Sequence, residues 1–274
     1  MQPITSGEKL FNWILKKYQY SNSREDSWIA RISYDFDMPD FESILFKSTA
    51  LMLTRRFINN AAWYIKRFPG DRLAVIDRFE KEYLRGSLGL EIEDRRILQK
   101  LIFDAQKASE SKISESTSNK MYEAALRTKQ RCKLCGNPID FTLMRTHWEA
   151  FSLDHIWPKS LGGESEEWNL QVSHQSCNTG RINIANESDV HYEHFNVKSI
   201  STDDKNESFW SEFNNQFRLA ALMKAEFRCE VCNESESIDR MDGTYHFSLK
   251  NRNENYNLFN VQITCDKHNR FIET

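Results

Sequence analysis

Six cysteines fall into two clusters, and each cluster combines a C-x-x-C pair with a third cysteine that lies three residues from a histidine. Proteins hold structural zinc with four Cys or His side chains in a tetrahedron, and the x-x spacing lets one tight turn present two of them. The pattern therefore predicts two zinc sites. The first uses Cys132, Cys135, His174 and Cys177, and the second uses Cys229, Cys232, Cys265 and His268. Disulfide bonds are the alternative interpretation, and the lack of a secretion signal favours reduced thiols instead.

The two clusters belong to an internal repeat. Residues 169–178 align with residues 260–269 at a constant offset of 91, and His155 aligns with His246 at the same offset. The C-x-x-C pairs are offset by 97, so the second copy is shorter by about six residues in between. The repeat predicts a duplicated zinc-bound unit.

The first copy carries a further set of polar residues. From Asp154 to Gly163 it reads Asp-His-Ile-Trp-Pro-Lys-Ser-Leu-Gly-Gly, and it continues with Asn-Leu-Gln at 169–171 and His-x-x-Cys-Asn-x-x-Arg at 174–181. This combination resembles the HNH endonuclease family, whose ββα-metal fold consists of a hairpin followed by a short helix. The resemblance covers about 30 residues, or about 50 with the leading C-x-x-C.

These residue types suit phosphodiester hydrolysis in their own right. A histidine with a pKa of about 6.5 can deprotonate water at neutral pH, and a hard divalent cation can neutralise charge on the phosphate. The resemblance implies that His155 is the general base and that Asp154 and Asn178 hold a catalytic Mg²⁺ or Mn²⁺. It also implies that Asn169 orients the loop that bears His155.

Two positions depart from the commonest pattern of the family. Asn178 stands where His is frequent, which leaves the preferred cation open, and His174 with Cys177 replaces a cysteine pair, which zinc accepts equally. Trp157 is expected to lie in the core rather than to stack on a base. Two basic residues are candidate phosphate contacts: Lys159 and Arg181.

The second copy has lost the catalytic pattern. Tyr245 replaces the aspartate that precedes the histidine, and the Pro-x-Ser-x-Gly-Gly segment is missing. A phenol with a pKa of about 10 is a poor magnesium ligand at pH 7. We therefore expect the second unit to bind zinc without cleaving, and to serve as a structural element or to hold substrate or a partner.

The first 120 residues contain neither Cys nor His and show helical periodicity. Helices are predicted from Asp40 to Phe68, from a cap at Asp71 to about Tyr83, and from Glu91 to Lys107, with a linker at 109–118. Strands are predicted at 151–156 and 168–172, and a helix from Cys177. The fold class is α+β, mostly α: a helical region followed by two zinc-stapled ββα units. The predicted domains are 1–118 (partner docking or DNA contact), 119–190 (active HNH unit) and 207–274 (degenerate unit).

Composition limits the classes of function. The chain has 274 residues, of which 39% are apolar and 28% charged, so it can form packed cores and wholesale disorder is excluded. It contains no apolar run of the roughly 20 residues that a membrane helix needs and no secretion signal, so a cytoplasmic protein is expected.

The net charge of -3 excludes a globally basic nucleic-acid coat. Phosphate contacts supply most non-specific DNA affinity, so targeting by a partner is expected. The resemblance is compatible with bacterial anti-phage systems that pair an HNH subunit with an ATPase, and equally with restriction-type nucleases. The chain has no Walker A pattern, so any ATPase must be another protein. The competing hypothesis is a non-catalytic zinc module that binds nucleic acid or protein; the intact Asp154, His155, Asn169 and Asn178 argue against it.

Overall fold

The computed structural model describes residues 3–18, 41–85, 90–181, 183–189, 215–231, 246–251, 258, 260–265 and 268. This part of the chain is mostly helical with two small two-stranded sheets, as the sequence predicted. Its contacts define two compact units. The first contains Met1–Ile113 and His155–Asn169, and the second contains Ser114–Asp154 and Leu170–Thr274. None of the described helices has the length and apolar character needed to cross a membrane.

The described part of the first unit is built from four helices. They are α1 (Ser6–Tyr18), α2 (Phe41–Arg67), α3 (Arg72–Phe79) and α4 (Ile92–Ser109). A π-helical turn, Glu80–Leu84, extends α3. As predicted, Pro69-Gly70 ends α2, and the Asp71 carboxylate caps α3 by accepting a hydrogen bond from the amide of Leu73 at 3.2 Å.

The core of this unit forms where α1, α2 and α4 pack on one another. Phe79 is fully buried, with its ring centroid 5.3 Å from that of Tyr64 and 5.3 Å from that of Phe103. Leu10 and Ile102 are also fully buried. Each such side chain stabilises the fold by about 1.5–3 kcal/mol. The helices therefore give a stable support to residues 155–169, which belong to the same unit.

The first ββα copy follows an additional helix. Its elements are α5 (Glu115–Thr128), β1 (Phe151–His155), β2 (Leu170–His174) and α6 (Gln175–Arg181), with β1 and β2 paired. The expected linker at 109–118 is wrong from Glu115 onward, because the Ser114 hydroxyl caps α5 by accepting from the amide of Thr117 at 3.0 Å. β2 starts two residues later than predicted, since Glu167–Asn169 forms a 3₁₀ turn.

The second copy repeats this local structure in α7 (Asn215–Lys224), β3 (His246–Leu249) and β4 (Val261–Thr264). Its hairpin is antiparallel, with His246 opposite Thr264. The amide of Lys133 donates to the carbonyl of Val172 at 2.9 Å, and in the second copy Glu230 donates to Ile263 at 2.8 Å. The shared contact supports a duplicated unit. Tyr245, Cys232 and the predicted boundary between the copies lie outside the described residues.

Candidate active site and metal centres

The four predicted ligands of the first zinc site converge. The sulfur or ring-nitrogen atoms of Cys132, Cys135, His174 and Cys177 all lie within 4.8 Å of one another. His174 Nδ1 lies 3.3 Å from Cys135 Sγ and 3.7 Å from Cys177 Sγ. A tetrahedron with Zn–S bonds of about 2.3 Å and a Zn–N bond of about 2.0 Å has edges of about 3.5–3.8 Å. The group therefore has the composition and approximate size of a structural zinc site.

The surroundings of His174 orient its ring. Its Nε2 lies 3.0 Å from the carbonyl oxygen of Pro138 and donates to it, so Nδ1 is the ring nitrogen that faces the sulfurs and could bind a metal after losing its proton. Hydrogen bonds with Cys132, and to a smaller extent with Cys135, raise the pKa of His174 to about 10. Contacts with Cys135 and Cys177 lower the pKa of Cys132, whereas contacts with Cys132 raise the pKa of Cys177. His174 and Cys177 therefore hold protons that a bound cation would displace.

Three of the four ligands predicted for the second zinc site also meet. The ligand atoms of Cys229, Cys265 and His268 lie within 4.8 Å of one another. His268 Nδ1 lies 3.3 Å from Cys265 Sγ and 3.7 Å from Cys229 Sγ, much as His174 does in the first copy. The fourth predicted ligand, Cys232, is outside the described residues. The described three are compatible with a second zinc site.

Asp154 lies near the end of β1 and is 5% exposed. Arg181, which is 3% exposed, donates to its Oδ2 through Nη1, and Gln171 donates to the same oxygen at 2.8 Å. Among the described residues, none donates to Oδ1. Arg181 also donates through Nε to the carbonyl of Ile184 at 3.0 Å. This burial does not favour the phosphate contact expected of Arg181, because its guanidinium is turned to Asp154 and to the main chain.

Asn178 lies in the middle of α6 and fixes that helix against β1. Its side-chain nitrogen donates to Ser152 Oγ at 2.9 Å and to the carbonyl of Leu153 at 3.0 Å. Both amide hydrogens are thereby used, and within the described ranges its Oδ1 has no hydrogen-bond partner. Asp154 and Asn178 each retain one oxygen of the kind that Mg²⁺ and Mn²⁺ bind.

Asn169 is 2% exposed and ties together the loop between β1 and β2. Its Oδ1 accepts from the amide of Trp157 at 2.8 Å, and its Nδ2 donates to the carbonyls of Trp157 at 3.1 Å and Glu164 at 2.9 Å. A Cβ at Gly163 would lie 2.9 Å from that Nδ2, so glycine leaves room for the bridge. The geometry agrees with the loop-orienting role expected of Asn169.

His155 follows Asp154 at the end of β1 and is half-buried. Its Nε2 lies 3.0 Å from the hydroxyl of Ser165, a side chain that is 6% exposed. Ser165 in turn bonds with Ser111, just beyond α4. The general-base candidate is therefore linked by two serines to the helical region.

The loop from His155 to Asn169 packs on the same helices. The amide of Gly7 in α1 donates to the carbonyl of Gly162 at 2.9 Å, and the Glu164 carboxylate accepts from the Ser6 amide at 3.0 Å. Trp157 is 8% exposed, with its ring 5.5 Å from that of Phe11, which confirms its predicted place in the core. By its contacts, this loop belongs to the same compact unit as residues 1–113. The domain boundaries predicted from the sequence had assigned it to the HNH unit at 119–190.

Three residues of this site were not predicted from the sequence. Gln171 is the third residue of the Asn-Leu-Gln motif, yet its contact with Asp154 requires the pairing of β1 and β2. Ser165 follows the paired glycines, and Ser111 lay in the expected linker. No local pattern links these two serines, because 54 residues separate them.

Residues 132–183 match the family model described as HNH endonuclease. No curated protein and no solved structure was found to match the chain. The matched segment begins at the first zinc ligand and includes the Asp-His pair, the loop asparagine and the final helix of the motif. The chain thus contains an HNH endonuclease domain at residues 132–183, and its Cys132, Cys135, His174 and Cys177 group fits the zinc-binding motif of that family.

Proposed function

We propose that this chain is a metal-dependent HNH endonuclease that hydrolyses DNA phosphodiester bonds. His155 serves as general base beside a divalent cation held by Asp154 and Asn178. The matched domain supports a nuclease in general. The observation that carries the finer proposal is that Asp154 and Asn178 each keep one side-chain oxygen without a hydrogen bond from the described residues, while their other polar atoms are fixed.

In this mechanism, His155 accepts a proton from water as the hydroxide attacks phosphorus, and its half-buried ring keeps access to solvent. Gln171 and Arg181 hold the Asp154 carboxylate in one orientation. Asn178 is held by two hydrogen bonds to β1. A bound Mg²⁺ or Mn²⁺ would neutralise charge on the phosphate and stabilise the leaving oxygen.

The charges of these residues imply weak cation binding by the protein alone. Arg181 offsets the negative charge of Asp154, and Asn178 is neutral. Protein sites for Mg²⁺ commonly use one or two carboxylates and complete the shell with water and substrate phosphate. We therefore propose that DNA phosphate supplies part of the coordination and that cation and DNA bind cooperatively. Lys159, which begins a 3₁₀ turn in the loop, remains the candidate phosphate contact.

The zinc sites have a structural role in this proposal. A ββα unit of this size has little core of its own, and four zinc ligands close it. The second unit binds zinc without cleaving. If cleavage is lost on His246→Ala while the fold and the zinc content are retained, the second unit is catalytic and this part of the proposal is wrong.

We also propose a biological setting, bacterial anti-phage defence with an ATPase partner. The net charge of -3 argues against strong independent DNA binding, and the sequence has no Walker A motif of its own. Phage plating on bacteria that carry the gene with its neighbours tests this. The setting requires His155→Ala and loss of a neighbouring ATPase gene each to remove protection. Full protection by either strain would refute it.

The experiment that tests the proposed activity is plasmid cleavage by the purified chain, with Mg²⁺ or Mn²⁺ titrated in and with EDTA. Asn178→Ala and Asp154→Asn should raise the cation concentration needed for half-maximal cleavage, without loss of zinc. His147→Ala changes a histidine outside the motif and is the matched control. Cleavage that survives EDTA, or an unchanged cation requirement in both variants, contradicts the cation site. Absence of cleavage under all conditions would favour the non-catalytic module.

A further inference from the structure

We infer that Ser165 and Ser111 are positioning residues for His155, and that the helical region, through Ser111, supplies a part of the active site that the HNH segment lacks. This inference rests on the proposed function of His155. Ser111 lies outside the matched residues 132–183, just beyond α4. Catalysis by the HNH segment would then depend on helices that precede this segment in the sequence.

The two serines bond to each other at three points. The amide of Ser165 donates to Ser111 Oγ at 3.0 Å, and Ser111 Oγ donates to Ser165 Oγ at 3.0 Å. The Ser165 hydroxyl donates to the carbonyl oxygen of Ser111 at 3.2 Å. This ring of contacts places Ser165 Oγ independently of His155, so the histidine meets a hydroxyl that is already fixed.

The hydrogen bonds of Ser165 determine which ring nitrogen of neutral His155 carries the hydrogen. A serine hydroxyl has one hydrogen and two lone pairs. When the Ser165 hydrogen goes to the Ser111 carbonyl and one lone pair receives the Ser111 hydroxyl, the remaining lone pair can only accept. His155 Nε2, at 3.0 Å, must therefore be the donor. The lone pair of the neutral ring is then on Nδ1, and Nδ1 is the atom that takes the proton from water.

The packing of the loop gives the serine pair a rigid support. The amide of Gly7 donates to the carbonyl of Gly162 at 2.9 Å. The loop lies so close to α1 that a Cβ at Gly7 would be 1.7 Å from the carbonyl oxygen of Leu161. A Cβ at Gly162 would lie 2.8 Å from that of Ala105 in α4. Since α4 ends two residues before Ser111, both sides of the serine pair are anchored to the same helices.

The test compares Ser165→Ala and Ser111→Ala with wild type in single-turnover cleavage. Ser165→Ala removes the acceptor for Nε2–H, and we expect kcat to fall about tenfold with KM for DNA unchanged, the size of one lost hydrogen bond. Ser111→Ala leaves the Ser111 carbonyl in place, so the expected loss is smaller, about threefold. Ser111→Thr and Ser165→Thr restore the hydroxyl and should recover most of the rate. Ser109→Ala is the matched control, because among the described residues that hydroxyl bonds within α4, to the carbonyl of Gln106 at 2.6 Å.

A second readout separates this inference from the proposed nuclease activity. In ¹⁵N-labelled protein, two-bond proton–nitrogen spectra identify which ring nitrogen carries the hydrogen, and the His155 signals are found by comparison with His155→Ala. Wild type should show the Nε2–H form, and Ser165→Ala should show a mixture. This holds whether or not the protein cleaves DNA, so an inactive protein with the Nε2–H form refutes only the nuclease.

Three results would overturn the inference. They are an Nδ1–H ring in wild type, a ring form unchanged by Ser165→Ala, and a Ser165→Ala variant with the wild-type kcat. A further check is additivity: in the His155→Ala background, Ser165→Ala should cause no additional loss of rate, because the two residues act as one. A further loss there would indicate that Ser165 acts on the fold alone.

Discussion

Replacement of Asn169 by alanine removes the side chain that bridges the two ends of the loop between β1 and β2. The change removes three hydrogen bonds, to the amide and carbonyl of Trp157 and to the carbonyl of Glu164. Each contributes about 0.5–1.5 kcal/mol, so the loop should lose about 1.5–4.5 kcal/mol. A loss of about 3 kcal/mol raises the equilibrium for loop opening by roughly 150-fold. Because His155 begins this loop, the rate of cleavage should fall sharply.

The second copy provides a matched control for this change. Asn260 makes a similar bridge, accepting from the amide of Asn251 at 2.8 Å and donating to its carbonyl at 3.0 Å. Asn260→Ala removes at least the two hydrogen bonds to Asn251, or about 1–3 kcal/mol for that pair, from a hairpin that we propose to be non-catalytic. It should loosen that hairpin and leave the rate of cleavage near that of wild type.

Two measurements on the same samples decide the outcome. Single-turnover plasmid cleavage gives the rate, and hydrogen exchange of the Trp157 amide gives the opening of the loop. Asn169→Ala should speed that exchange and slow cleavage, with zinc content unchanged. Cleavage at the wild-type rate by Asn169→Ala, or an equal loss of activity in Asn260→Ala, would refute the role of the Asn169 bridge.

Three other predictions follow from the described contacts. Gly7→Ala should separate the loop from α1, because the added Cβ would lie 1.7 Å from the carbonyl oxygen of Leu161. The rate of cleavage should fall while the zinc content stays constant, and wild-type activity would refute this packing. Arg181→Ala should lower the free energy of unfolding in urea by about 3–5 kcal/mol, because it leaves the buried Asp154 carboxylate without its cationic partner. A decrease of less than about 1 kcal/mol would contradict a stabilising ion pair. Zinc binding at the first site at pH 7 should release at least two protons, because the pKa values of His174 (about 10) and Cys177 are raised, and the affinity for zinc should increase with pH. Calorimetry in buffers of different ionisation enthalpy counts the protons, and zero release would contradict the raised pKa values.

The parts of this molecule that local sequence specifies were predictable. Helix periodicity, Pro69-Gly70 and the Asp71 cap gave the bounds of α2 and the start of α3. The spacing of cysteine and histidine gave the first zinc group, because its ligands come from two short turns of fixed geometry. The cap at Ser114 was overlooked, since a stretch rich in Ser and Glu suits a helix start as well as a linker.

The parts that depend on packing were not predictable. The Arg181 guanidinium resembles a phosphate contact in the sequence, and only its 3% exposure and its bonds to Asp154 and Ile184 show where it points. The contact of Ser111 with Ser165 joins a residue just beyond α4 to one between β1 and β2, so it follows from tertiary structure alone. Both contacts concern how the functional residues are held rather than which residues they are.

The most direct test of the central claim is the single-turnover rate of DNA cleavage by His155→Ala in saturating Mg²⁺ or Mn²⁺, beside the wild-type chain and the control His147→Ala. General-base catalysis contributes about 10²- to 10⁴-fold, so His155→Ala should lose about that factor while it keeps its zinc and its unfolding midpoint. His147→Ala should match wild type. Cleavage by folded, zinc-loaded His155→Ala at the wild-type rate would contradict the account.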